Sequence, residues 1–158
     1  MALRALLLLC GISGLLTGAF SVNVTVPECP AGWVRLEDRC FIYRDNALNF
    51  TTAEGMCNNA GGTLATISNS VENALAFQLV RDANNGSVVD TWIGLHDGIT
   101  EGKFVRTDGS KSKFFDFRAN QPDNFAGNED CVEIDNEGQW NDETCTDRQD
   151  FLCSINLW

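Results

Sequence analysis

The apolar positions of this chain follow different periods in different stretches, and each period predicts a different kind of element. From Ala5 to Leu16 they run almost unbroken, behind Arg4 and ahead of the small residues Thr17-Gly18-Ala19. A basic start, a short apolar run and small residues form the layout of a secretory leader. A run of about 12–15 residues also falls short of the roughly 20 that span a bilayer. Residues 1–20 are therefore expected to be a signal peptide, with 21–28 a short N-terminal segment and 29–155 the folded domain. No later stretch is apolar enough to span, so the expectation is a secreted, extracellular chain without membrane insertion.

Beyond the leader, Trp33 to Leu36 and Cys40 to Tyr43 read as two short strands of a hairpin turning at Glu37-Asp38. Thr51-Thr52-Ala53-Glu54 has the form of a capping box, and the helix it opens should end at Gly61-Gly62. A second helix is predicted from Ser68-Asn69-Ser70. Its core stripe should be Val71, Leu75 and Leu79 with Ala74 beside them, and it should end at Asp82-Ala83-Asn84-Asn85-Gly86. From Thr91 the pattern changes to strand-length apolar runs, Trp92–Leu95, Cys131–Ile134 and Phe151–Ile155, separated by Gly-, Asp- and Asn-rich segments. Trp33, Trp92 and Ile93 are expected in the core. Asp97 to Asp130 is too polar to be core throughout. Helices first and strands with long loops afterwards predict an α+β fold in one domain.

Charge and cysteine content narrow the function. The 158 residues carry 11 Lys and Arg against 22 Asp and Glu, a net charge of −11, which becomes −12 once Arg4 leaves with the leader. Such a surface repels phosphate backbones and anionic membrane faces, so nucleic acid is excluded as a partner. One histidine, His96, leaves little material for His-based catalysis and is expected on the polar surface. Cleavage removes Cys10 and leaves Cys29, Cys40, Cys57, Cys131, Cys145 and Cys153, an even set that implies three disulfides in an oxidising compartment. Spacing alone does not choose among the fifteen pairings of six cysteines, and no pair has the two-to-four-residue spacing of a zinc knuckle. No cysteine remains for an interchain bond, so any homo-oligomer would be non-covalent. The sequons at Asn23, Asn49 and Asn85 are candidates for N-glycosylation.

The acids are concentrated. Between Asp123 and Asp150 ten acidic residues face a single basic one, Arg148, and they are interleaved with cysteines, Trp140 and Val132/Ile134. A solvated acidic face is one explanation. The other is a calcium site, since a folded loop holds many carboxylates cheaply only around a cation, and calcium takes six to eight oxygen ligands. The EF-hand pattern is absent.

Taken together, Cys29-Pro30-Ala31-Gly32-Trp33, Trp92-Ile93-Gly94-Leu95, Trp140-Asn141-Asp142 and Phe151-Leu152-Cys153 resemble the C-type lectin-like domain family over nearly all of the mature chain. Small secreted lactose-binding lectins of fish look most similar. The resemblance implies a fold of two helices flanking small antiparallel sheets, with a long calcium-binding loop and the disulfides Cys29–Cys40, Cys57–Cys153 and Cys131–Cys145. It also implies a calcium (Ca2+) site built from Gln121, Asp123, Glu129, Asn141 and Asp142, with a cis peptide before Pro122. An auxiliary site would draw on Asp97, Glu101, Asn124, Glu129 and Asp130.

In the family, the Gln-Pro-Asp order goes with binding of galactose and N-acetylgalactosamine. Gln121, Asp123, Glu129 and Asn141 would contact sugar hydroxyls, and Phe125 would stack on the sugar's apolar face. The glycine-rich insertion that shapes some galactose sites is absent, because Phe125-Ala126-Gly127-Asn128 runs directly into Glu129. Looser discrimination against mannose is therefore expected. The expected function is calcium-dependent binding of terminal galactose-type glycans without catalysis. The alternative is a protein-binding or ice-binding domain on the same scaffold.

Overall fold

The computed structural model describes residues 27–158. The leader expected at 1–20 and the sequon at Asn23 lie outside the described residues. The hairpin forms as predicted, β1 (Val34–Leu36) pairing antiparallel with β2 (Arg39–Leu48). Glu37 takes the turn in the left-handed region at φ 53°.

Helix α1 (Phe50–Asn59) starts one residue before the predicted box and is capped differently. Asn49 is the cap, its side-chain oxygen accepting from the Thr52 amide at 2.9 Å. Thr51 lies inside the helix, and Glu54 accepts instead from the Leu64 amide at 2.7 Å, tying α1 to β3 (Thr63–Leu64). An Asn cap contributes about 1 kcal/mol. It prevails here because Phe50, only 7% exposed, must be the first helical residue to reach the core beside Trp92. The helix closes where expected, with Gly61 at φ 90°.

Helix α2 (Ser70–Ala83) is capped by Asn69, which accepts from the amides of Val71 and Glu72 at 2.9 Å each. Its buried face is Glu72, Ala76 and Val80, one position on from the predicted stripe. Val71 is 60% exposed, Ala74 is exposed, and Leu75 and Leu79 are only partly buried. Arg39 explains the rotation. Its guanidinium, buried on β2, pairs with Glu72 at 2.7 Å and bonds the Thr66 carbonyl at 2.7 Å and the Ser154 hydroxyl at 2.9 Å. Leaving that buried cation unpaired would cost several kcal/mol, more than exposing one valine.

The remaining strands are β4 (Thr91–His96), β5 (Val105–Arg106), β6 (Cys131–Ile134), β7 (Trp140–Glu143) and β8 (Gln149–Asn156). They continue one hydrogen-bonded sheet in the order β1-β2-β8-β4-β6-β7, with β3 on β8 and β5 on β4. The expected antiparallel pieces are thus joined, and the joint is the parallel pairing of β4 with β8. Trp92, Ile93, Val132, Trp140 and Leu152 are at most 1% exposed, whereas Trp33 is only partly buried. His96, expected on the surface, is half-buried with its ring edge-on to Phe50 at 5.9 Å.

All three implied disulfides are formed, Cys29–Cys40, Cys57–Cys153 and Cys131–Cys145. The second pins α1 to β8 within the core. The third spans the β6–β7 hairpin.

Candidate functional site

The long connection from β4 to β6 is fixed by aromatic residues that the charge pattern hides. Phe114 and Phe117 meet the Trp140 ring edge-on at 5.7 and 5.9 Å. Backbone bonds then lay Asp116–Arg118 along β7, from the Trp140 amide to the Asp116 carbonyl at 3.0 Å and from the Arg118 amide to the Trp140 carbonyl at 2.9 Å. This sets Gln121-Pro122-Asp123 over the end of β7, with the Gln121–Pro122 peptide cis.

The loop that follows is folded around its own acids. Asp142 accepts from the amides of Asp123 (3.1 Å) and Asn124 (2.8 Å), and Glu129 accepts from Phe125 (2.7 Å). The side-chain oxygen of Asn124 accepts from the Glu129 amide at 3.1 Å. Asn124 and Ala126 both sit at positive φ, 45° and 58°. For alanine that region costs about 1–2 kcal/mol, so the turn is held by these bonds rather than by local preference.

The result is a convergence of negative charge. Asp123, Glu129 and Asp142 each present a carboxylate oxygen, all within 4.8 Å of one another. Glu129 and Asp142 are buried, at 9% and 1% exposure. Among the described residues no lysine or arginine pairs with any of the three. Burial, with the neighbouring Glu143, Asp142 and Asp123, raises the Glu129 pKa above its ordinary value, against the pull of the Phe125 amide. Two residues before Asp123, the Gln121 side-chain oxygen is buried without a hydrogen-bond partner. Hard oxygens and an unsatisfied amide oxygen without a positive neighbour are the donor set that calcium accepts. The residues fit that ion.

Asn141, buried on β7, commits one N–H to Glu133 Oε1 at 3.0 Å, so its amide is only partly free for a ligand. Its oxygen lies 3.5 Å from the Arg118 guanidinium, which pairs with Asp135 at 3.0 Å. Glu133, Arg118 and Asp135 have no distinguishing mark in the sequence; only the β6–β7 register, Glu133 opposite Asn141, could have suggested the first of them. Burial pushes the Glu133 carboxyl up to about 8, opposed by the Asn141 bond.

Residues expected for an auxiliary site touch in pairs, but among the described residues their acids form no second cluster like that of Asp123, Glu129 and Asp142. Asn124 hydrogen-bonds Glu101 through its side-chain nitrogen, and the Asp97 amide donates to the Asp130 carbonyl at 3.0 Å. Asp97 is 1% exposed, with one oxygen on the Gly102 amide and the other without a partner. Phe125 is 72% exposed beside the three carboxylates, an aromatic surface rather than a core residue.

Fold and site together define a disulfide-bonded α+β domain with three converging carboxylates on a long loop. The Lectin C-type domain matches residues 46–155, and the chain belongs to that family, one of binding domains rather than enzymes. It is 33% identical over 141 residues to the galactose-specific lectin nattectin of Thalassophryne nattereri, covering 89% of this chain and 88% of that one. It is 33% identical, again over 141 residues, to an alpha-N-acetylgalactosamine-specific lectin of Patiria pectinifera, covering 82% and 83%. Among solved structures it resembles C-type lectin CEL-I of Cucumaria echinata, with a TM-score of 0.78, 26% identity and coverage of 83% and 99%.

Proposed function

We propose that the protein is a secreted, calcium-dependent lectin for terminal galactose or N-acetylgalactosamine. The observation that carries the reading is the convergence of Asp123, Glu129 and Asp142 with no lysine or arginine paired to them among the described residues. Gln121, Asp123, Glu129, Asn141 and Asp142 would hold the calcium, and Asp97, Glu101, Asn124 and Asp130 a second, auxiliary one. Bound calcium supplies open coordination positions for two vicinal sugar hydroxyls. Asp123 and Glu129 would accept hydrogen bonds from those hydroxyls, while the amide N–H groups of Gln121 and Asn141 would donate to their oxygens. Phe125 offers its face to the apolar side of the ring. The Gln-Pro-Asp order and the galactose-type names of both relatives support the choice of sugar.

Three disulfides and a leader-like N-terminus, with the domain over 29–155, support secretion. Among the described residues no helix is long and apolar enough to cross a membrane. Of the sequons, Asn85 is exposed at the end of α2, whereas the oxygen of Asn49 caps α1. Single sugar sites bind weakly, so useful avidity requires several non-covalently held copies.

Chromatography on galactose or lactose resin tests the reading. Retention in calcium with release by a chelator is expected, and retention that survives chelation overturns the mechanism. The double substitution Gln121→Glu with Asp123→Asn reverses which flank of the site donates and which accepts. It is expected to shift the mannose-to-galactose affinity ratio about tenfold toward mannose, the worth of one to two hydrogen bonds. Competition of each sugar against labelled lactose measures it, and an unchanged ranking would count against these residues as selectors.

A further inference from the structure

We propose that Glu133, outside the expected ligand set, is a positioning residue that fixes the sense of the Asn141 amide and thereby the calcium affinity of the site. The inference rests on the proposed calcium reading and goes beyond it to a residue that touches neither ion nor sugar.

An asparagine amide is nearly symmetric in shape. A half-turn about its last bond exchanges oxygen for NH2, so packing alone does not orient it and hydrogen-bond partners must. Asn141 has partners of both kinds. Glu133 lies directly across the β6–β7 ladder and takes its N–H at 3.0 Å in a buried bond. Arg118 approaches the other end of the amide, its guanidinium 3.5 Å from the oxygen and itself anchored on Asp135 at 3.0 Å. Acceptor at the nitrogen and donor at the oxygen enforce the same sense, and with it the direction in which a ligand oxygen is offered.

Glu133 is otherwise hard to account for. It is 4% exposed, it pairs with no cation among the described residues, and its bond to Asn141 is itself buried. A buried carboxyl without a cationic partner is a net cost to the strand. The Cys131–Cys145 bridge closes the same hairpin, so Glu133 and Asn141 keep their register.

Calcium titration of the full disulfide-bonded chain without sugar, followed by calorimetry, tests the proposal, with the Tm of each variant in chelator as a check on folding. Glu133→Leu is expected to weaken calcium about tenfold or more, in the range found for residues that orient metal ligands. Glu133→Gln keeps an acceptor of the same reach and is expected to rescue affinity to within about threefold. Because Glu133 acts through Asn141, the double variant Glu133→Leu with Asn141→Ala should bind no more weakly than Asn141→Ala alone. If the leucine variant fails to fold, Glu133→Thr, strand-forming but too short to reach the amide, replaces it in both comparisons. Unchanged affinity in Glu133→Leu, losses that multiply in the double variant, or a glutamine variant as weak as the leucine one each overturn the proposal. A wild-type chain that takes up no calcium overturns instead the reading on which it stands.

Discussion

Glu129→Gln is expected to abolish calcium-dependent sugar retention while leaving the ion-free protein at least as stable as before. In the ion-free protein Glu129 is a liability, buried at 9% exposure among other carboxylates that raise its pKa. Glutamine keeps the volume and can still accept from the Phe125 amide, now at 2.7 Å from Glu129, so the loop retains its bond and loses one repelling charge. With calcium the balance reverses, because affinity at oxygen sites follows the number of charged ligands.

A ligand present at a hundred times its Kd adds about 2.7 kcal/mol of stability. A hundredfold weaker site at the same calcium concentration adds only about 0.4 kcal/mol. Thermal unfolding in calcium and in chelator, for both proteins, separates the two effects. The calcium-induced rise in Tm should nearly vanish in the variant while its Tm in chelator holds or rises. A variant whose Tm falls in chelator but still climbs fully with calcium would show Glu129 to be a structural acid and not a ligand.

Replacing both Cys57 and Cys153 by alanine should bring the largest loss of stability. This bridge closes a loop across a sequence separation of 96 residues, against 11 for Cys29–Cys40 and 14 for Cys131–Cys145. In the chain-entropy account a loop of that size contributes about 4.7 kcal/mol, and one near 15 residues about 3. A loss of about 4.7 kcal/mol corresponds to a fall in Tm of roughly 10–20 °C for a domain of this size. The structure adds a reason for the loss to be felt throughout, since Cys57 on α1 and Cys153 on β8 are both in the core that holds Trp92 and Phe151. Denaturant unfolding of the three paired variants should rank this one lowest. If the Cys131–Cys145 variant proves the least stable, strain around the site hairpin and not loop closure governs these bridges.

The elements most legible in the sequence were those fixed by local chemistry. The β1–β2 hairpin, the glycine close of α1, the asparagine-rich start of α2 and the strand-length runs at Thr91, Cys131 and Phe151 each follow from a period or a turn residue. Where expectation and structure part, a distant partner decides. Asn49 caps α1 in place of Thr51 because Phe50 must reach Trp92. Glu72, not Val71, turns inward because Arg39 waits there from β2. The polar-looking stretch before Gln121 is anchored on Trp140 by phenylalanines whose role no local pattern announces.

The candidate site divides in the same way. By itself the sequence determined an acidic, cysteine-rich α+β domain, and its resemblance to the C-type lectin-like family marked Gln121, Asp123, Glu129, Asn141 and Asp142 as the oxygens to watch, because the motifs that carry that resemblance are written in the chain. Only the tertiary structure decided that the three carboxylates of that set converge with no lysine or arginine paired to them among the described residues, that Gln121 is left unsatisfied, and that Glu133 and Arg118 approach Asn141 from opposite ends. Those facts depend on charges and amides brought together from β6, β7 and a loop far apart in sequence. Their energies are set by burial and mutual distance, which no single stretch of sequence contains.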